Sequence, residues 1–112
     1  MQKFDYRVPR FVVDLPVQFT VQASTLRARC IEISKEGMRV ELEDPLVVDA
    51  YGTVLIRYRE RLLQLDARVA HISETHGGMV FLYKSDSERI AVANLVLALS
   101  ESRRTSVPAL IA

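Results

Sequence analysis

The polar stretch from Ser34 to Gly37 places a hydroxyl group and a glycine three residues apart, at the bend between two alternating apolar and polar runs. A serine hydroxyl at such a bend can donate a hydrogen bond to a phosphate or to a base. Glycine there supplies a positive φ, or a close backbone approach where a Cβ would block a ligand. A hairpin turn that needs a glycine explains Gly37 alone more simply. The pair therefore indicates a ligand site only together with other residues.

Two arginines, Arg7 and Arg10, flank Pro9 just before the first apolar run. A guanidinium can fork onto a phosphate or onto guanine O6 and N7, and its plane can stack on a base. Residues 1–10 are polar and basic, and we predict a flexible arm that folds over a ligand. For these two arginines taken alone, a solvated tail is the simpler interpretation.

Catalytic and metal-binding patterns are weak in this sequence. Neither His71 nor His76 has a cysteine or a second histidine at metal-ligand spacing, and Cys30 has no evident base. No glycine-rich phosphate loop precedes a helix. We therefore expect no enzymatic activity, no metal and no cofactor.

The composition fits one domain with a modest core, since the chain has 112 residues, of which 49% are hydrophobic. Its 15 Lys and Arg nearly balance its 14 Asp and Glu, so the overall charge predicts no polyanionic partner. The single cysteine suits a reducing cytoplasm. The first ten residues lack the apolar core of a signal peptide, and the run from Ile90 to Leu99 is too short to span a bilayer. We expect a cytoplasmic protein without membrane insertion.

Apolar residues alternate with polar ones in six successive runs, which predicts six short strands between Phe11 and Tyr83. Residues 59–61 and 76–78 are predicted turns, the second because it contains two glycines. Ser85 and Glu88 then form a capping box, after which apolar residues recur at helical spacing. This helix is predicted to end with the solvated residues 101–104.

Six short antiparallel strands in so small a chain close most economically as a barrel, because closure removes exposed edges. The helix can then bury its apolar stripe against the barrel. The predicted fold is mainly β, a six-stranded antiparallel β-barrel with a C-terminal α-helix. The predicted divisions are an arm at 1–10, the barrel and helix at 11–104, and a short tail at 105–112.

In this layout the chain resembles the PilZ family, the bacterial receptors for the second messenger cyclic di-GMP. The resemblance covers the arginine arm, DLPVQF at the first strand, EISKEG, GGMVFL and the final helix. In the family, an Asp/Asn-x-Ser-x-x-Gly motif follows the second strand. Ser34 and Gly37 match it, whereas Glu32 departs by one methylene from the usual residue.

The basic arm of the family reads Arg-x-x-x-Arg, and two registers fit it here. Arg7 and Arg10 lie three positions apart rather than four, with Tyr6 where the first arginine would fall. Lys3 and Arg7 keep the spacing, but lysine cannot form the arginine fork, and this register leaves three extra residues before the strand. We prefer Arg7 and Arg10 because the sequence from Arg10 onward looks more like the family.

The resemblance implies that Arg7 and Arg10 clamp guanine bases and phosphates of cyclic di-GMP, while Glu32, Ser34 and Gly37 line a pocket on the barrel. It implies a non-enzymatic receptor or adaptor that signals to an unidentified downstream protein, as in motility or biofilm regulation. The alternative is a degenerate PilZ-like adaptor that no longer binds the nucleotide. A barrel that binds a nucleic-acid polymer is least favoured, because the aromatic residues mostly fall in the apolar phase.

Overall fold

The computed structural model describes residues 10–111 of the chain, with side chains described for residues 10–101. Its elements in chain order are β1 (Phe11–Val21), β2 (Ser24–Ile33), β3 (Gly37–Leu42), β4 (Tyr51–Tyr58), β5 (Arg61–Ile72), β6 (His76–Leu82) and α1 (Asp86–Ile111). The strands close into a barrel in the order β1-β2-β3-β6-β5-β4, and every neighbouring pair is antiparallel. The predicted fold is therefore confirmed.

The barrel order brings two hairpins together that are distant in the sequence. Strands β2 and β3 form one hairpin and β5 and β6 form the other, and β3 pairs with β6 to join them. Strand β1 pairs with β4 and closes the opposite side. Because β3 and β6 are antiparallel, the β2–β3 turn lies beside the end of β6, where the Phe81 amide donates to the Glu36 carbonyl oxygen, and the β5–β6 turn lies beside the end of β3, where the Leu42 amide donates to the Thr75 carbonyl oxygen.

Buried and exposed residues alternate along the strands, and the buried ones, which face the inside of the barrel, form the core. The fully buried members with the largest side chains include Phe19, Val40, Val54, Ile56, Leu65 and Val69. Val92, Leu95 and Leu99 of α1 are also buried, and the helix packs against β1 and β5. Ile90 and Leu97 lie on the opposite, exposed side of the helix, so Val92, Leu95 and Leu99 form the stripe that covers the barrel.

The predicted turn at residues 76–78 is wrong, because these residues begin strand β6. The chain turns at residues 73–75 instead, where the Ser73 amide and hydroxyl donate to the His76 carbonyl oxygen at 2.8 and 3.3 Å. None of the four glycines has a positive φ, whereas Gln22, Asp49 and Arg59 do. At Gly37, Gly52 and Gly78 a neighbouring atom occupies the space that a Cβ would need, so these three glycines serve close packing rather than turn geometry.

The predicted start of the helix is confirmed, since the Glu88 amide donates to the Ser85 hydroxyl at 3.3 Å and α1 begins at Asp86. The Glu88 carboxylate accepts from the Lys84 amide at 2.7 Å, which completes the cap. The helix continues to Ile111 rather than ending at 101–104, because solvated residues do not stop a helix without a glycine or asparagine cap. Over the part of the chain that the structure describes, no helix is long and apolar enough to cross a membrane.

Candidate functional site

The corner between β2 and β3 is a tight turn built around Ser34. Its amide donates to the Gly37 carbonyl oxygen at 2.9 Å, and its hydroxyl accepts from the Glu36 amide at 3.1 Å. The hydroxyl also donates to the Gly37 carbonyl at 3.5 Å, which is a long and weak bond. Ser34 is 8% exposed. The main role of this hydroxyl is therefore to stabilise the turn. Only its weak hydrogen bond to the Gly37 carbonyl oxygen is readily exchanged for one to a ligand.

Gly37 is required by the packing of the barrel itself. A Cβ at this position would overlap the Met79 carbonyl oxygen and lie 3.2 Å from the Met79 carbonyl carbon. The positive φ predicted as one role for this glycine is not observed. The close backbone approach that the structure shows is to strand β6, and an approach to a ligand stays a prediction.

Two further contacts fix the corner to the rest of the barrel. The Phe81 amide donates to the Glu36 carbonyl oxygen at 3.0 Å, and the Tyr83 hydroxyl donates to the Lys35 carbonyl oxygen. The guanidinium of Arg89, in the first turns of α1, lies 4.8 Å from the centre of the Tyr83 ring. The corner is therefore held rigidly and is connected through Tyr83 to the helix.

Arg10 lies beside this corner and contacts Glu32. Its Nη1 atom is 3.6 Å from Glu32 Oε1, with the two side chains 60% and 30% exposed. An ion pair that exposed contributes little stability, about 0.2–1 kcal/mol. Both charged groups are therefore easily diverted to a ligand.

Arg10, Glu32, Ser34 and Gly37 all line one open cleft of about 630 Å³. That volume is typical of small-molecule sites. Four of the five predicted site residues therefore share one surface, although Arg10 is separated from the corner by more than twenty residues. The fifth, Arg7, lies outside the described residues, as do residues 1–9 of the predicted arm.

The opposite wall of the cleft comes from β3 and from the β5–β6 hairpin. It includes Arg39, His71, Ser73, His76 and Gly78. None of these was predicted as a site residue. Alternation along β3 puts Arg39 on the outer face together with Gly37, which was a usable signal. His71 follows a register shift in β5 that a strict period of two does not reveal.

Metal binding and thiol chemistry find no support at this cleft. Within the described residues, no three His, Cys, Asp or Glu side chains are grouped to hold a metal ion. Cys30 is buried in β2, two residues before Glu32, and its thiol donates a long hydrogen bond to the Glu32 carbonyl oxygen at 3.5 Å. Burial raises the pKa of this thiol to about 12, so it stays protonated and unreactive at neutral pH. The cleft offers the guanidinium groups of Arg10 and Arg39, two imidazole rings and backbone atoms, which suit an anionic ligand with aromatic rings, together with the carboxylates of Glu32 and Glu36, which can accept hydrogen bonds from it.

Comparisons with known proteins agree with this description. The model of the PilZ domain family matches residues 6–98. The PilZ domain of Escherichia coli YcgR, whose structure contains c-di-GMP, superimposes with a TM-score of 0.81 at 20% identity, covering 91% of this chain and 96% of that one. No curated protein sequence matches the chain significantly.

Two other solved structures share the fold. The PilZ domain of CeSA from a cellulose-synthesizing bacterium has a TM-score of 0.70 at 20% identity, covering 82% of this chain and 98% of that one. The Bacillus subtilis inhibitor of motility MotI has a TM-score of 0.70 at 19% identity, covering 93% of this chain and 54% of that one.

Proposed function

Because the chain belongs to the PilZ domain family, we propose that it is a receptor for cyclic di-GMP that acts in the bacterial cytoplasm without catalysing a reaction. The ligand would bind in the cleft between the β2–β3 corner and the β5–β6 hairpin. Arg10, with Arg7, would bind phosphates and guanine edges, and Glu32 would accept from guanine donors. Ser34 and Gly37 would supply the corner against which the nucleotide packs.

One observation carries this proposal: Arg10 and the Glu32, Ser34 and Gly37 motif line the same cleft. These residues come from separate stretches of the sequence, and a resemblance of motifs alone does not require them to meet. The cleft also has the chemistry that a dianionic purine dinucleotide needs. It combines two guanidinium groups, from Arg10 and Arg39, with a backbone corner free of a Cβ.

Replacing Arg10 by alanine should weaken binding of cyclic di-GMP about tenfold to a hundredfold, because a charge-assisted hydrogen bond contributes about 1.5–3 kcal/mol. Isothermal titration of the purified protein measures this directly. Arg57→Ala is the matched control, since Arg57 is exposed on β4, which is three strands from β3 in either direction around the barrel. The control should bind as the unaltered protein does.

The proposal fails if the unaltered protein gives no saturable heat with cyclic di-GMP at tens of micromolar. It also fails if Arg10→Ala and Arg57→Ala bind alike. In the first case the second candidate function, an adaptor that binds proteins without the nucleotide, becomes the better description. Glu32 favours that candidate, because its carboxylate lies 3.6 Å from Arg10 and adds a negative charge where a phosphate would have to bind.

Glu32→Gln tests the role of this ion pair. The family motif accepts both Asp and Asn, so a neutral amide at this position can still accept from guanine. Removing the charge frees Arg10 and relieves repulsion of the phosphates, so we expect affinity to rise about two- to fivefold. Weaker binding by Glu32→Gln would indicate instead that the contact with guanine depends on the negative charge of the carboxylate.

Signal output is proposed to pass through the rigid connection between the corner and the helix. Ligand at the corner would order the arm over the cleft and change the surface that a downstream protein recognises. Tyr83 and Arg89 join that corner to the first turns of α1. That partner would determine which pathway responds, whether motility, biofilm formation or another output.

A further inference from the structure

The wall of the cleft opposite the motif has a defined architecture of its own. Cross-strand pairing places Glu32 opposite Arg39, Arg39 opposite Gly78, and Gly78 opposite His71. These four residues form one lateral row across β2, β3, β6 and β5. At a strand spacing of about 4.8 Å, the row extends roughly 14 Å along the outer face of the sheet.

His71 has an unusual position within this row. The register of β5 shifts between Val69 and His71, so His71 follows a bulge that re-aims its side chain. A Cβ on Gly78 would overlap His71 Cε1 and lie 2.6 Å from Nδ1 and 3.0 Å from Nε2. The imidazole therefore lies over strand β6, in the space that any other residue at position 78 would fill.

The two histidines of the cleft differ in availability. His76 Nδ1 lies 2.6 Å from the Thr75 hydroxyl oxygen, so that ring is already engaged. The His71 ring is held by packing over Gly78, and the residue is exposed. Arg39, on the far side of Gly78, is exposed as well. An aromatic ring that lies flat on the outer face of a sheet, beside a guanidinium, is an arrangement that proteins use to stack a base.

We propose that His71, laid over Gly78 and flanked by Arg39, is a base-stacking residue that binds a purine ring of the nucleotide in this cleft. This inference rests on the proposed function and adds to it a specificity-determining residue outside the motif. The motif side of the cleft then holds phosphates and guanine edges, while the β5–β6 side holds the face of the base. Gly78 is required because it alone leaves room for the imidazole.

His71→Ala should weaken cyclic di-GMP binding about five- to a hundredfold by isothermal titration, the range for loss of one base–aromatic stack. His71→Phe should restore most of the affinity, because stacking needs an aromatic face and no charge. Equal losses in His71→Ala and His71→Phe would overturn stacking, as would unchanged affinity in His71→Ala. Failure of the unaltered protein to bind would overturn the proposed function as well, so the two failures are distinguishable.

Fluorescence gives a second, direct measurement. The chain has no tryptophan, so His71→Trp introduces a single indole at the proposed stacking position. Cyclic di-GMP should quench its emission along the same saturation curve that calorimetry gives. Arg57→Trp, on β4, is the control and should be unaffected. Emission of His71→Trp that does not respond to saturating ligand would overturn the proposal.

A double-mutant cycle separates stacking from general damage to the fold. Gly78→Ala displaces only the movable His71 ring, so it should fold and yet lower affinity about as much as His71→Ala. Adding Gly78→Ala to His71→Ala should cause little further loss, because the ring that it displaces is already absent. Additive losses would show that Gly78 and His71 act independently, and would overturn the proposed arrangement.

Discussion

Gly37→Ala should destabilise the barrel by about 2–4 kcal/mol. The added methyl group would overlap the Met79 carbonyl oxygen, with the Met79 carbonyl carbon at 3.2 Å and Val80 Cα at 3.3 Å. All three atoms belong to the backbone of β6, so no side-chain rotation can relieve the overlap. Strands β3 and β6 must separate instead, and with them the two hairpins that form the cleft. Urea denaturation followed by far-ultraviolet circular dichroism measures the loss.

Gly77→Ala is the matched control for this experiment. Gly77 is buried on the neighbouring strand, and a Cβ there would meet its nearest atom, Leu42 Cδ2, at an ordinary 3.5 Å. Its φ is not positive, so alanine is compatible with the backbone. We expect this variant to unfold within about 0.5 kcal/mol of the unaltered protein. Equal stability of the two variants would contradict the close approach of β3 and β6.

This prediction bears on how binding experiments are interpreted. If Gly37→Ala unfolds the barrel, loss of nucleotide binding by that variant says nothing about contact between Gly37 and the ligand. Arg10 and His71 are exposed, so their replacement leaves the core intact and reports on binding itself. The motif glycine thus has a structural role that is present whether or not cyclic di-GMP binds.

Most of the fold could be predicted from the sequence because each strand has one buried face. Alternation identified all six strands, and the Ser85 to Glu88 box located the start of the helix. The error at residues 76–78 has a physical cause: glycine marks either a turn or a close approach, and local sequence does not distinguish them. At Gly78 the reason for glycine is the His71 ring, which arrives from another strand.

The candidate site could be predicted only where its residues follow a motif. Ser34 and Gly37 lie within one turn, and Arg10 lies directly before β1, so spacing along the chain suggested them. Arg39 and His71 become neighbours only through the β3–β6 pairing, which joins hairpins that are not consecutive. A register shift in β5 further changes the direction of His71. The order of the strands in the barrel decides which of these residues become neighbours, and local alternation does not reveal that order.

The buried thiol of Cys30 makes stability depend on pH in the alkaline range. Cys30 is fully buried, and desolvation raises its pKa from 9.0 to about 12. The pKa in the folded protein exceeds that in the unfolded chain, so between these values the unfolded chain binds fewer protons. Stability contributed by the neutral thiol is therefore complete below about pH 9 and is lost as pH rises toward 12, by up to about 1.4 kcal/mol per unit.

Comparison with Cys30→Ala isolates this effect, because burial also raises the pKa of Tyr83 to about 12 and that group remains in both proteins. Between about pH 8 and pH 10.5, the unaltered protein should lose about 2 kcal/mol more stability than the variant. The comparison uses the change with pH in each protein, so the small cavity left by alanine cancels. Parallel pH profiles in urea denaturation would mean that solvent reaches the thiol, and hence that the barrel around Cys30 opens more readily than its packing indicates.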